Sequence, residues 1–287
     1  MNNEVAVDPI VASHVAELRL LLSKVGFYEG RFISRFPKRW LALALGGIVD
    51  QNMRKSVQVL LDRVKDGAFL PSGRSYDSAR RWIDNAIDQH KSQPFSEVIT
   101  DEKLEGCINI DAFDVDQLKG SRDIKVVPNS ENMLSALDPL LSLSGSLFLI
   151  DPYFVPWASV TRRLFVDLLL RCFSARCVSF TAFVSEKEWR NEFIDADKRI
   201  REILPTSLGG TRELRIVVLG DLATSDQLHA RYLFSERGGV RLDRGLQTGR
   251  ARVDLSLIDR VVHNDLMHTF VERPLPYPII KEFRFQI

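Results

Sequence analysis

The spacing of apolar and polar positions divides the chain into a first part of helical period and a second part in which helical and strand periods alternate. Asp8-Pro9 predicts a helix start, because Asp caps free amides and Pro fits the first helical position. Val15, Leu18, Leu21, Leu22 and Val25 carry that helix to about Lys24, and Gly26 stops it. Between Phe27 and Trp40, the aromatics Phe32, Phe36 and Trp40 recur every fourth residue. This predicts an amphipathic turn or helix with its rings inward and Arg31, Arg35, Lys38 and Arg39 in water. The same interleaving suits a surface for nucleic acid or a partner, on which Arg35 and Lys38 are candidate contacts. Helices over 50–65 and 75–90 complete the expectation of a small, mainly helical domain, residues 1–125.

The stretch 94–123 is poorly patterned, with one short strand expected over 94–99. Asp111, Asp114 and Asp116 alternate with apolar residues but lack the glycine and terminal glutamate of a calcium loop, so no metal is assigned to them. Linker-like residues at 119–123 and 128–130 place the boundary, and residues 126–287 form the second domain. There a helix over 131–143, interrupted by Pro139, precedes the apolar run Ser146-Leu-Phe-Leu-Ile-Asp-Pro-Tyr. That run reads as a central strand delivering Asp151 and an aromatic loop with Tyr153 to its carboxyl end, where open sheets place ligands. Alternatively, Asp151 caps the turn made by Pro152. Helices after residues 160 and 185, strands over 176–184, 213–219 and 228–235, and a last edge strand from 279 predict an α/β fold, a mixed sheet flanked by helices.

The candidate chemistry lies in the strand expected over 228–235. His229 and Arg231 are two apart, which places them on one face of a strand, and Gly238-Gly239 is expected to turn the chain so that Glu236 returns toward them. A nucleophilic or acid/base histidine, a guanidinium for phosphate oxygens and an orienting carboxylate make a coherent set for phosphodiester chemistry. The bland alternative is a salt-bridged strand. Arg241, Arg244, Arg250 and Arg252 follow and make the densest local anion patch in the chain, with Arg241 and Arg244 as candidate substrate contacts. Pairing with Asp243 and Glu236 explains the same arginines without chemistry. His263 and His268, roughly 140° apart on a helix, match no metal motif.

The spacing His229, Arg231, Glu236 resembles the His-x-Lys-x4-Asp signature of phospholipase D-like phosphodiesterases, with Arg for Lys and Glu for Asp. The resemblance covers about 147–258, a single repeat of that fold, and the Gly-Ser-x-Asn segment that usually follows the signature is missing. It implies a mixed sheet with helices on both sides and metal-independent, cofactor-free chemistry. In that chemistry one histidine attacks phosphorus while a second protonates the leaving oxygen. His229 then inherits the nucleophile or acid role, Arg231 the phosphate contact and Glu236 the polar support. Because no second His-x-Lys or His-x-Arg pattern occurs, the resemblance implies a homodimer that pairs two copies of His229.

The chain has 287 residues, 45% hydrophobic and 27% charged, enough for two cores. A net charge of +1 excludes general attraction to polyanions and leaves only a local patch. Cys107, Cys172 and Cys177 cannot all pair and fit no zinc pattern, so free thiols are expected. The runs at 41–49 and 164–170 are too short or too charged to span a bilayer, and the start lacks a signal pattern, so a cytoplasmic protein is expected. Nucleic acid is therefore expected over lipid as the substrate. The competing reading is a catalytically inactive subunit of a bacterial antiviral-defence or DNA-processing complex that holds nucleic acid or a protein partner.

Overall fold

A computed structural model describes residues 3–190, 192–205, 211–221 and 229–287. The chain forms two compact units, Met1–Arg122 and Asp123–Ile287. Among the described residues no helix is long and apolar enough to cross a membrane.

The first unit comprises β1 (Asn3–Val7), α1 (Val15–Leu22), β2 (Arg31–Arg35), α2 (Trp40–Gly46), α3 (Gln51–Ala68), β3 (Phe69–Pro71), α4 (Trp82–Ser92), β4 (Glu97–Thr100) and β5 (Ile108–Asn109). Its strands form a parallel sheet in the order β3-β2-β1-β4-β5. The expectation of a mainly helical domain is therefore corrected: this unit is α/β, with α1 and α3 packed on one face and α4 on the other. A spacing of four satisfies both the strand and the helix period. Phe32 and Phe36 thus share a face across the end of β2, while Ile33 fills the opposite core. Covering on both faces is what removes the polar alternation that would have marked β1 and β2 as strands. Asp8 does cap, as expected, but the capped element is a 3-10 turn, Pro9–Ser13, and the α-helix restarts at Val15.

The second unit comprises β6 (Asp123–Val126), α5 (Ser130–Leu143), β7 (Ser146–Ile150), α6 (Arg162–Phe173), β8 (Ser179–Ser185), α7 (Glu186–Trp189), α8 (Ala196–Ile203), β9 (Glu213–Leu219), β10 (Tyr232–Ser235), β11 (Gly238–Leu242), β12 (Val253–Leu257), α9 (Arg260–Met267) and β13 (Ile279–Gln286). The sheet is mixed, in the order β13-β9-β8-β7-β10-β11-β12-β6. Strands β7, β8 and β9 are parallel, and β10 and β13 run antiparallel on either side of them. Helices cover both faces, as the alternating pattern predicts. Phe148, Ile150, Phe183, Val217 and Phe234 face Val262 and Leu266 of α9. On the other face Phe180 meets Phe165 of α6, ring centroids 5.8 Å apart. His263 is buried beneath the sheet, where its Nε2 lies 2.7 Å from the Ser235 carbonyl.

Candidate phosphate site at the carboxyl edge of the second sheet

Parallel strands β7, β8 and β9 end at one edge of the sheet, and antiparallel β10 begins there, with Tyr232 opposite Ile150. Residues just after the first three strands and just before the fourth are therefore neighbours, the arrangement in which open α/β sheets bind ligands. The ladder continues past β7: Asp151 N–H donates to Phe183 O and Ser185 N–H to Pro152 O. This extension holds the Asp151-Pro152-Tyr153 turn beside the end of β8.

Asp151 is 1% exposed. Its Oδ1 accepts the Tyr153 N–H at 3.1 Å and lies 3.4 Å from Arg231 Nε. Burial pushes its carboxyl up to about 6, against the opposing pull of the Tyr153 amide, the Arg231 charge and the Leu246 amide. Asp151 thus closes the turn, as one of the two sequence readings expects, and also faces a cation. A tight loop lies over it. A Cβ on Gly245 would fall 1.9 Å from Asp151 Oδ2, and Gly245 has φ +62°, so glycine is required there both by space and by backbone conformation.

Arg231 is held on several sides. Its Nη1 donates to the Asp243 carbonyl, and its guanidinium carbon lies 4.7 Å from the centroid of the Tyr153 ring. The Nε contact with Asp151 is an ion pair without hydrogen-bond alignment. Because Nε and Nη1 face inward, phosphate would meet the remaining edge of the fork.

His229 lines a pocket of about 60 Å³ together with Tyr153, Lys187, Glu188, Asp221 and Tyr277. A cavity needs roughly 10–15 Å³ of such space to hold one water, so the pocket has room for a small polar group. Tyr153 joins the two halves of the site: it lines the pocket that holds His229 and carries Arg231 on its ring. On the far wall, Gly220 N–H donates to Pro278 O and draws in Tyr277, which stacks on Phe270 at 6.0 Å. Lys187 Nζ meets Asp221 Oδ2 at 3.1 Å, both side chains about half exposed.

Of the residues named from the sequence, Asp151, Tyr153, His229 and Arg231 come together at this edge. His229 and Arg231 precede β10 and are not strand residues, so the pairing of their directions by strand period does not apply; Leu228 lies outside the described residues. Glu236 does not return to them. It sits in the turn between β10 and β11, at the opposite end of β10, where its two oxygens accept the N–H groups of Gly145 (2.8 Å) and Ser146 (3.2 Å). The correction has a plain cause: the hairpin turns immediately after Ser235, before the glycines, and carries Glu236 to the amino end of β7. Its support is given to the sheet. Arg241 is exposed on β11 opposite Tyr232, and Arg244 is exposed beside Gly245 in the loop over Asp151. Arg35 and Lys38 belong to the first unit, where Arg35 Nη2 donates to the Lys65 carbonyl and Lys38 is exposed.

Lys187, Glu188, Asp221 and Tyr277 were not foreseen. The signal for the first three was present, since they follow β8 and β9 as Asp151 follows β7, and the strand-end rule applies to all three strands. Neither a protein-family model nor a curated protein matches the chain.

Proposed function

We propose that the second unit is a phospholipase D-like phosphodiesterase module whose substrate is nucleic acid. The observation that carries this reading is the pocket of about 60 Å³ lined by both His229 and Tyr153, with the Arg231 guanidinium on the Tyr153 ring. In the proposed reaction a ring nitrogen of His229 attacks phosphorus, the new P–N bond forms as the P–O bond to the leaving group breaks, and Arg231 holds a non-bridging oxygen. The leaving oxygen takes a proton from a second copy of His229 across a two-fold axis, and water then cleaves the P–N bond. The reading thus includes a homodimer.

The test is hydrolysis of single- and double-stranded oligonucleotides in excess chelator. Cleavage by the full chain and its loss in His229→Ala support the reading, and cleavage that persists in the variant overturns it. A non-catalytic role in holding nucleic acid or a protein has its own support: Asp151, Asp243 and Tyr153 already occupy much of Arg231, and Glu236 is bound elsewhere. That reading expects salt-dependent oligonucleotide binding without turnover.

A further inference from the structure

We infer that Lys187 is the displaceable phosphate-binding cation of the His229 pocket, kept in place by Asp221 until an anion takes it over. The inference rests on the phosphate reading of that pocket. Arg231 is tied to the Asp243 carbonyl, to Asp151 and to the Tyr153 ring, and is only 24% exposed. Lys187 is 52% exposed, and its Nζ contacts Asp221 Oδ2 at 3.1 Å. The two cations therefore differ in mobility: Arg231 is held against the Tyr153 ring, while Lys187 lines the pocket on a flexible stem.

The strength of the latch decides whether it can open. An ion pair with both partners half in water shifts an equilibrium by less than about fivefold. A phosphate placed among the same lining residues offers up to two charges and several acceptor oxygens to one compact ammonium with three donors. A phosphate thus competes with Asp221 for this ammonium and must sit beside Glu188 of the same lining; where it binds, Asp221 is freed of its partner. Lys187 and Asp221 follow β8 and β9, so the latch spans two adjacent strand ends and needs no change in the sheet.

The experiment measures binding and not turnover. Inorganic phosphate is titrated into the full chain and followed through the histidine ring resonances, and a short fluorescent single-stranded DNA is titrated by anisotropy. Lys187→Ala is expected to weaken phosphate binding about tenfold and Lys187→Arg to retain most of it. Asp221→Asn is expected to tighten binding severalfold, and to give no gain when Lys187 is already Ala. Unchanged phosphate affinity in Lys187→Ala overturns the inference. So does an equal gain from Asp221→Asn in both backgrounds, because that is a general effect of removing a negative charge. Absence of phosphate binding by the unaltered chain overturns both this inference and the site reading. Phosphate binding through Lys187 with no His229-dependent cleavage leaves the inference standing and removes only the catalytic reading.

Discussion

Asp8 and Asp151 occupy matching places in the two sheets. Each follows an inner strand directly, each precedes proline, and each accepts the backbone N–H two residues on, from Ile10 and Tyr153. Both are buried, and burial pushes both carboxyls up to about 6. Their surroundings differ. Asp8 receives the Thr100 hydroxyl at 3.4 Å and feels the like charges of Asp101 and Glu102, whereas Asp151 faces the Arg231 guanidinium. Asp138-Pro139 lies inside α5 with Asp138 part-exposed and paired to Arg171, whereas at these two positions Asp-Pro ends a buried strand and buries a carboxylate. Whether that carboxylate belongs to an anion-binding site depends on the cation another strand brings to it.

The largest expected effect tests how closely the second carboxylate is enclosed. Gly245→Ala places a methyl against Asp151 Oδ2 in a left-handed backbone position. Denaturant unfolding is expected to show a loss of about 3 kcal/mol or more, from the overpacking and the strained backbone together. A loss below about 1 kcal/mol would mean that the loop over Asp151 yields freely.

Next come the carboxylates themselves. A raised carboxyl makes the folded state bind its proton more tightly than the unfolded chain does. Stability from Asp8 therefore falls as pH rises from about 4 to about 6, then levels off. Asp8→Asn keeps an acceptor for the Ile10 amide and removes the buried charge. It is expected to stabilise the first unit at pH 7.5 by up to about 3 kcal/mol, and to flatten that pH dependence. Hydrogen exchange of the β1 amides measures both. Asp151→Asn removes a net penalty of similar size, because the value near 6 already includes the attraction of Arg231, so a gain of up to about 3 kcal/mol at pH 7.5 is expected there too. A gain at Asp151 well below that at Asp8 would show that the Arg231 guanidinium depends on Asp151 for its place, which sharpens the contrast between the two sheets.

Sequence reasoning read the second sheet better than the first for a physical reason. The strands from Ser146 to Leu219 are long apolar runs bounded by polar turns and alternate with helices of clear period, so α/β was legible there. In the first unit β3 and β5 are three and two residues long, and Phe32 and Phe36 fit two periods at once. Asp151 was legible because a carboxylate ends an otherwise unbroken apolar strand. The relation of Glu236 to His229 was not, because residue spacing along a hairpin does not say where the turn falls. Lys187 and Asp221 are brought together only by strand order, which no local pattern carries.

The smallest expected effect separates the two ends of β10. In Glu236→Gln one of the two acceptor oxygens that hold the Gly145 and Ser146 amides becomes an NH2 group. One charge-assisted bond is lost and another weakened, so a cost of about 1–2 kcal/mol is expected in denaturant unfolding of the second unit. Phosphate binding should be unchanged, because Glu236 lies at the amino end of β7 while the His229 pocket lies past its carboxyl end. Arg231→Ala should lower phosphate affinity about tenfold or more, from loss of a fixed charge beside the pocket. If Glu236→Gln lowers phosphate affinity as much as Arg231→Ala does, the two ends of the strand are coupled. The His229-Arg231-Glu236 pattern would then be one functional unit, against the geometry that divides it into a site and a sheet support.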